Sequence, residues 1–136
     1  MAAIALSFCL LFAWADDRTA VADFLGDLAA ALSSGDARGF MKRIDPAMPG
    51  YPELETEVEA LVKLVGVASS VQLLELTARD DGFDLQVDWF LELKPLGQEL
   101  SRERRRELLK LRLKRVGKSW KIQSLEPQTI FAAPRL

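Results

Sequence analysis

Apolar residues in the first half of the chain recur at helical spacing and predict amphipathic helices. The stripe of the first helix comprises Ala20, Val21, Phe24, Leu25, Leu28 and Leu32. Asp16 or Asp17 is the predicted cap at its beginning. The small and flexible residues Ser33, Ser34 and Gly35 predict its end.

Two further helices are predicted before the periodicity changes. Asp36 is the predicted cap of the second helix, which ends at Asp45-Pro46 because the residue before a proline disfavours helical geometry. Its buried side comprises Phe40, Met41 and Ile44. The third helix begins at Pro52, after a turn that contains Tyr51, and Gly66 is predicted to end it. Its buried face comprises Leu54, Val58, Leu61, Val62 and Val65.

From Val67 onward the apolar pattern has a period of two and predicts β-strands. Between residues 83 and 93, apolar residues at odd positions alternate with largely polar ones, which is typical of a strand with one buried face. The alternation recurs at residues 109–113 and 120–122. Predicted turns lie at Asp81-Gly82, at residues 95–102 and at Gly117-Lys118. The predicted fold class is α+β, with three N-terminal helices packed on a four-stranded antiparallel meander sheet.

The turns and the apolar pattern together predict a strand register. A turn at Asp81-Gly82 places Leu76 opposite Val87 on the apolar face. Across the next hairpin the predicted apolar pairs are Trp89 with Leu109, Val87 with Leu111 and Leu85 with Leu113. The same register predicts outer-face ion pairs of Asp88 with Lys110, Glu92 with Arg106 and Asp84 with Lys114. A one-residue slip would turn an apolar set toward water.

An uncharged apolar run occupies residues 2–15. It is shorter than the roughly 20 residues that span a bilayer, and Ala13-Trp14-Ala15 matches the small-x-small pattern of a signal-peptide cleavage site. No lysine or arginine precedes the run, and a buried N-terminal helix is the alternative. We expect residues 1–15 to be a signal peptide and residues 16–136 to be one exported domain, periplasmic or extracellular, without a permanent membrane span.

Composition excludes several kinds of chemistry. The 136 residues are 49% hydrophobic and 28% charged, which is typical of one packed globular domain. There is no histidine, so the commonest general base near neutral pH is missing. Cys9 is the only cysteine, which excludes an intrachain disulfide and thiolate metal clusters. We expect no metal and no cofactor.

A basic stretch follows the second predicted strand. It contains Arg102, Arg104, Arg105, Arg106, Lys110, Arg112 and Lys114. Nucleic acid or anionic lipid is one interpretation, and a cross-strand charge lattice on a solvated face is the other. The net charge of −2 and the acidic strand beside the stretch favour the lattice. We therefore expect no nucleic-acid partner.

The order of elements resembles the nuclear-transport-factor-2-like superfamily, the cone-shaped fold shared with ketosteroid isomerases and small polyketide cyclases. The residues that carry the resemblance are the first helix around residues 20–32, Gly35-Asp36 and the segment Gly117-Lys118-Ser119-Trp120-Lys121-Ile122. The last segment is similar to a G-x-W-x-I strand that often closes such domains. The resemblance implies a strongly curved sheet wrapped on helices with an apolar pocket between them.

Six residues are candidates for ligand binding in the implied pocket: Phe24, Tyr51, Trp89, Glu107, Arg115 and Trp120. Ordinary core packing is the alternative for the aromatic ones. Arg115 lies at an inward position opposite Trp120, where it could anchor an acidic ligand or extend to solvent at the sheet edge.

The resemblance does not bring a catalytic set with it. Ketosteroid-isomerase-like enzymes place a tyrosine on the helical side and acids on the sheet, and cyclase-like chemistry usually relies on a histidine and an aspartate. Here the only tyrosine, Tyr51, precedes the third helix, and no catalytic residue is assigned. A carboxylate-dependent isomerase- or cyclase-like enzyme that uses Glu107 with Tyr51 is the alternative function.

Two apolar residues, Phe90 and Leu108, have outward positions among the paired charges. In relatives of this fold the outer sheet face often serves dimerisation, and isolated exposed apolar residues are also common. The sequence therefore favours a non-catalytic exported domain. It either binds a small apolar or acidic ligand or mediates association, for example as a homodimer through this face.

Overall fold

The computed structural model describes residues 2–96 and 102–134, with side chains from residue 17 onward. These residues form helices α1 (Ala2–Ser33), α2 (Ala37–Met41) and α3 (Tyr51–Leu64), followed by strands β1 (Val65–Arg79), β2 (Gly82–Pro95), β3 (Glu103–Val116) and β4 (Ser119–Glu126). A short 3₁₀ helix, Thr129–Phe131, follows the last strand. The strands form one antiparallel sheet in the order β1-β2-β3-β4. The predicted fold class and the meander are confirmed. The connection predicted at residues 95–102 lies mostly outside the described residues.

Helix α1 is longer than the spacing predicted. It runs without a break through Asp16 and Asp17, so neither residue caps a helix. Residues 2–15 contain no glycine or proline, and their alanines and leucines favour continuation of the helix. The helix ends as predicted, with Gly35 in the left-handed conformation at φ 73°. Among residues 2–96 and 102–134, no helix has both the length and the hydropathy needed to cross a membrane.

The second helix begins as predicted and the third ends differently. The Asp36 carboxylate accepts a hydrogen bond from the Gly39 N–H at 2.8 Å, which confirms the predicted cap. Tyr51 is the first residue of α3 rather than part of a turn. Gly66 does not end this helix, because Val65 is already extended and Gly66 pairs with Lys94 in the sheet.

The first hairpin turns one residue earlier than predicted. Arg79 pairs with Gly82, so the turn residues are Asp80 and Asp81 rather than Asp81 and Gly82. Asp80 has φ 47°, a left-handed conformation that aspartate tolerates better than most residues. Leu76 therefore lies opposite Leu85 instead of Val87.

The register differs from the predicted one at two further places, a β-bulge in β1 and the pairing of β2 with β3. The alternation predicts that Leu74 lies on the apolar face opposite Trp89, but the pairing shifts between Leu73 and Glu75, and Val71 lies opposite Trp89 instead. Across β2 and β3, Trp89 lies opposite Glu107 rather than Leu109, and the other predicted partners move by the same two residues. Because side chains alternate with a period of two, the two-residue shift leaves the residues of β2 and β3 on their predicted faces. The bulge in β1, in contrast, leaves Leu74 exposed.

One face of the sheet and the helices enclose the core. Its sheet side comprises the buried residues Val65, Leu76, Phe83, Leu85, Val87, Trp89, Leu91, Leu93, Leu109, Leu111, Leu113, Trp120, Ile122 and Leu125. The helices contribute residues such as Phe24, Leu28, Phe40 and Val58. Each predicted helix therefore covers this inner face, as amphipathicity requires.

Both edge strands make hydrogen bonds beyond the sheet. At β1, the Ser69 N–H donates to Ser33 Oγ at 2.9 Å, and Arg18 donates to the Leu73 carbonyl at 3.4 Å. At β4, the Ile122 N–H donates to the Arg43 carbonyl, and the Asp45 N–H donates to the Ile122 carbonyl. These bonds occupy edge groups that could otherwise pair with another chain.

Candidate functional site

The inner face holds two aromatic clusters, and the first is centred on Trp89. Trp89 is fully buried between Phe40 and Phe131, with ring centroids 6.4 and 5.1 Å away and the rings edge to face. Its indole N–H donates to Ser69 Oγ at 2.9 Å. Trp89 is thus packed on its rings and satisfied at its polar atom, as a core residue is.

The second cluster joins Phe24 and Trp120. Their rings meet edge to face at 6.1 Å, and Phe83 lies 6.4 Å from Trp120 on another side. The Trp120 indole N–H is buried and has no acceptor among the described residues. The Arg115 guanidinium lies 5.3 Å from the centre of the Trp120 ring and 3.6 Å from an Asp17 carboxylate oxygen.

The position of Arg115 favours a side chain that extends to solvent at the sheet edge over one that anchors an acidic ligand. Its side chain is 53% exposed and already has an anionic partner in Asp17. It lines a surface cleft of about 550 Å³ at the hairpin ends, together with Asp80 and Asp81. An arginine stem that covers an indole while its head reaches water is a common arrangement at a sheet edge.

Glu107 and Tyr51 lie on different elements. Glu107 is half-buried on β3 opposite Trp89, and Tyr51 is half-buried at the first turn of α3. Burial, with a smaller effect from Glu55, raises the pKa of the Tyr51 hydroxyl above its ordinary value. In the described part of the chain no hydrogen bond joins Glu107 to Tyr51. The six candidate residues therefore do not form one site. Phe24, Arg115 and Trp120 lie together, Glu107 lies opposite Trp89 in the sheet, and Tyr51 is separate.

The C-terminal segment belongs to the core, which the periodicity of the sequence did not predict. Ile130 and Phe131 are both buried, and Phe131 packs on Phe40 at 5.4 Å as well as on Trp89. Arg105 donates to the main-chain carbonyls of Ile130, at 2.9 Å, and Ala132. Two adjacent large apolar residues in a short tail after the last strand are the sequence signal that could have indicated this.

The outer face carries the charge lattice, with partners that differ from those predicted. Asp88 pairs with Arg106 at 2.7 Å and lies opposite Leu108 rather than Lys110. Asp84 lies opposite Arg112 rather than Lys114, and Glu92 lies opposite Arg104 rather than Arg106. The remaining close pairs are Arg79 with Asp84 at 2.9 Å, Arg112 with Asp84 at 3.2 Å and Arg102 with Glu92 at 3.0 Å. The cause is the same two-residue shift that moved the apolar pairs.

These contacts change the acidity of two carboxyl groups. A hydrogen bond from Arg79, assisted by one from Arg112, lowers the pKa of Asp84 below its ordinary value. Hydrogen bonding to Arg106 lowers the pKa of Asp88 in the same way. Both carboxylates are stabilised in their charged form by the neighbouring guanidinium groups.

Folding stability is expected to fall as the pH decreases below the ordinary aspartate pKa of about 4. Because Asp84 and Asp88 have lowered folded-state pKa values, the unfolded chain binds more protons in this window, so stability rises with pH there. Urea denaturation at a series of pH values measures the slope. Asp88→Asn should reduce the slope, and Arg106→Gln should reduce it as well because it removes the cause of the pKa shift. An unchanged slope in both variants would contradict this assignment.

Apolar side chains interrupt the outer lattice. Leu108 is 60% exposed, and Phe90 is half-buried in the next diagonal position. Leu74, at the bulge of β1, is also exposed. A groove of about 360 Å³ passes Phe90, Asp88 and Arg106, and a second of about 460 Å³ crosses all four strands nearer the first hairpin.

No protein-family model matches the chain, and no curated protein matches it. Solved structures do match. A conserved protein from Planctomyces limnophilus is 12% identical, with 81% of this chain and 93% of that chain covered and a TM-score of 0.72. An NTF2-like protein with a cystatin-like fold from Novosphingobium aromaticivorans is 13% identical, with 87% and 84% covered and a TM-score of 0.65.

A third match comes from Xanthomonas campestris. Its name refers to a calcium/calmodulin dependent protein kinase II association domain, and it is 15% identical, with 77% of this chain and 81% of that chain covered and a TM-score of 0.57. Identities this low establish the fold alone. The chain therefore has the nuclear-transport-factor-2-like fold, as the resemblance in its sequence indicated.

Proposed function

We propose that this chain is a non-catalytic exported domain that associates with a second copy of itself through the outer face of the sheet. The observation that carries the proposal is Leu108, which is 60% exposed at the centre of β3, on the face that the helices do not cover. A large apolar residue among ordered charged groups is typical of an interface core surrounded by a polar rim.

Two features of the fold direct association to this face. The inner face is occupied, because Trp89, Leu91 and Leu109 are completely buried under the helices and the C-terminal segment. The edges are engaged as well, by Ser33 at β1 and by the Arg43 and Asp45 main chain at β4. The outer face is the remaining large surface of the sheet with apolar side chains.

The charges on the outer face suit a two-fold arrangement. The outward residues of β2 include the acids Asp84, Asp88 and Glu92, and those of β3 include the bases Arg104, Arg106, Lys110, Arg112 and Lys114. A two-fold axis between these strands would lay the acidic strand of one copy over the basic strand of the other. Opposite charges across such a contact favour encounter and fix its register. The Xanthomonas structure, whose name refers to an association domain, has the same fold.

The wild-type chain is expected to form dimers in sedimentation-velocity experiments, and Leu108→Lys is expected to weaken association by about tenfold or more. The introduced ammonium group would lie opposite Asp88, so the folded monomer should be retained. Leu96→Lys is the matched control, because Leu96 is 62% exposed but lies at the end of the β2–β3 hairpin. A monomeric wild-type chain, or equal behaviour of the two variants, would contradict the proposal.

Export rests on residues 2–15, the uncharged apolar run that precedes the charged residues 16–18. A signal peptidase that cleaves after Ala15 would leave Asp16 as the mature N-terminus. Intact-mass analysis of the protein recovered from the periplasm or the medium of an expressing bacterium tests this. An uncleaved chain that stays inside the cell would contradict export without affecting the association proposal.

A further inference from the structure

The segment after β4 closes the inner face of the sheet at one end. Phe131 lies in a slot formed by Trp89 and Phe40, with ring-centroid distances of 5.1 and 5.4 Å. All three side chains are fully buried. Phe131 thus supplies one third of an aromatic cluster whose other two members belong to α2 and β2.

The segment is held differently from a strand. Its polar attachments are bonds between side chains and the main chain: Gln128 to the Pro49 carbonyl at 3.1 Å, Arg105 to the Ile130 and Ala132 carbonyls, and the Ala133 N–H to Glu57 at 2.6 Å. Its own main-chain bonds, from Phe131 to Gln128 and from Ala132 to Thr129, are local. A segment without a ladder of sheet hydrogen bonds can open without unfolding the sheet.

Arg105 determines what chemistry the slot would accept. The Arg105 side chain is 19% exposed and pairs with the Glu103 carboxylate through Nε, while Nη1 donates to the two carbonyl oxygens of the tail. Glu107 lies two residues farther along the same face. Because Glu103 already pairs with the guanidinium, the Nη1 group that faces the tail carbonyls suits a neutral carbonyl oxygen better than a second carboxylate.

We propose that residues 129–133 form a releasable intramolecular plug. When the plug is out, the slot of Trp89, Phe40 and Arg105 binds a small aromatic group that carries a neutral carbonyl acceptor. Phe131 and the Ile130 carbonyl occupy this site in the closed chain. A ligand therefore competes with the tail, and its apparent affinity is reduced by the fraction of closed molecules.

The probe is N-acetyl-L-phenylalaninamide, which reproduces the Phe131 ring and, in its acetyl carbonyl, the Ile130 oxygen. In the full-length Phe131→Ala variant, NMR titration should show binding at least about tenfold tighter than in the wild-type chain. N-acetyl-L-alaninamide, which lacks the ring, is the matched control and should not shift the Trp89 indole signal. Adding Arg105→Gln to Phe131→Ala should weaken binding of the aromatic probe. A folded Phe131→Ala variant that binds the probe no better than wild type would overturn the proposal.

Hydrogen exchange of the wild-type chain tests the plug without any substitution. The Phe131 and Ala132 amides are each hydrogen-bonded at 3.1 Å. They should exchange at least about 100-fold faster than the amides of the central strands β2 and β3. The free energy of the opening that exposes them should depend only weakly on the urea concentration, because little surface is exposed. If these two amides exchange only through global unfolding, at the same rate as the central strands, the tail is an inseparable part of the core. That result would overturn the proposal.

Discussion

Replacing Trp89 with alanine is expected to lower the free energy of unfolding by about 3–5 kcal/mol, the usual cost of deleting a buried aromatic side chain. Trp89 is fully buried, and it contacts Phe40 from α2 and Phe131 from the C-terminal segment. Its loss would leave a cavity where helix, sheet and tail meet. Urea denaturation followed by far-UV circular dichroism measures the change.

A pair of conservative variants separates the ring from its hydrogen bond. Trp89→Phe removes the N–H that donates to Ser69 Oγ and leaves that hydroxyl without its partner. Trp120→Phe removes an N–H that has no acceptor in the described part of the chain. The first variant should therefore lose more stability than the second. Equal losses would indicate that ring volume alone decides the effect.

Replacing Gly82 with alanine is expected to lower the free energy of unfolding by about 1–3 kcal/mol, the usual cost of forcing extra volume into a packed site. A Cβ at this position would lie 1.8 Å from the Leu113 carbonyl oxygen and 2.8 Å from the Leu113 carbonyl carbon. These are main-chain atoms of the adjacent strand, so β2 and β3 would have to separate at the first hairpin. Thermal and urea denaturation measure the loss.

Gly26→Ala is the matched control for Gly82→Ala. Gly26 lies inside α1, and a Cβ there meets no atom within 4 Å. Alanine in a helix interior is more favourable than glycine by about 0.5–1 kcal/mol, so this variant should be as stable as wild type or more stable. A Gly82→Ala chain with unchanged stability would contradict the close approach of β2 and β3.

The packing of the inner face and the exposure of the outer face give the two sides of the sheet different roles. Trp89 and Phe131 fill the space between helices and sheet, whereas Leu108 and Phe90 lie outside among paired charges. The Leu108→Lys and Phe131→Ala variants act on opposite faces. A negative result for association through the outer face therefore leaves the plug proposal open, and the reverse also holds.

Much of the fold follows from local patterns in the sequence. The four-residue recurrence of Phe24, Leu28 and Leu32 predicted the stripe of α1 that is buried, and the Asp36 cap was predicted from a preference that depends only on adjacent main-chain groups. Alternation along β2 assigned Trp89 to the inner face and Phe90 to the outer face. These features need no knowledge of distant residues.

The register could not be predicted in the same way. A shift of two residues preserves every face, so the apolar pattern is equally satisfied by Trp89 opposite Leu109 and by Trp89 opposite Glu107. The first hairpin shows the same ambiguity, because Asp80 adopts a positive φ at its turn and Leu76 lies opposite Leu85 instead of Val87, again two residues away and on the same face.

By itself, the sequence determined the fold class, the order of the elements and the face on which most side chains lie, because helical and strand periodicities are local properties of the chain. Only the tertiary structure decided which partners meet. Arg105 reaches the carbonyl of Ile130 and Ser33 meets Ser69 across long stretches of chain. The tail closes the slot beside Trp89 because Phe131 completes an aromatic cluster that exists only once the sheet and helices have packed.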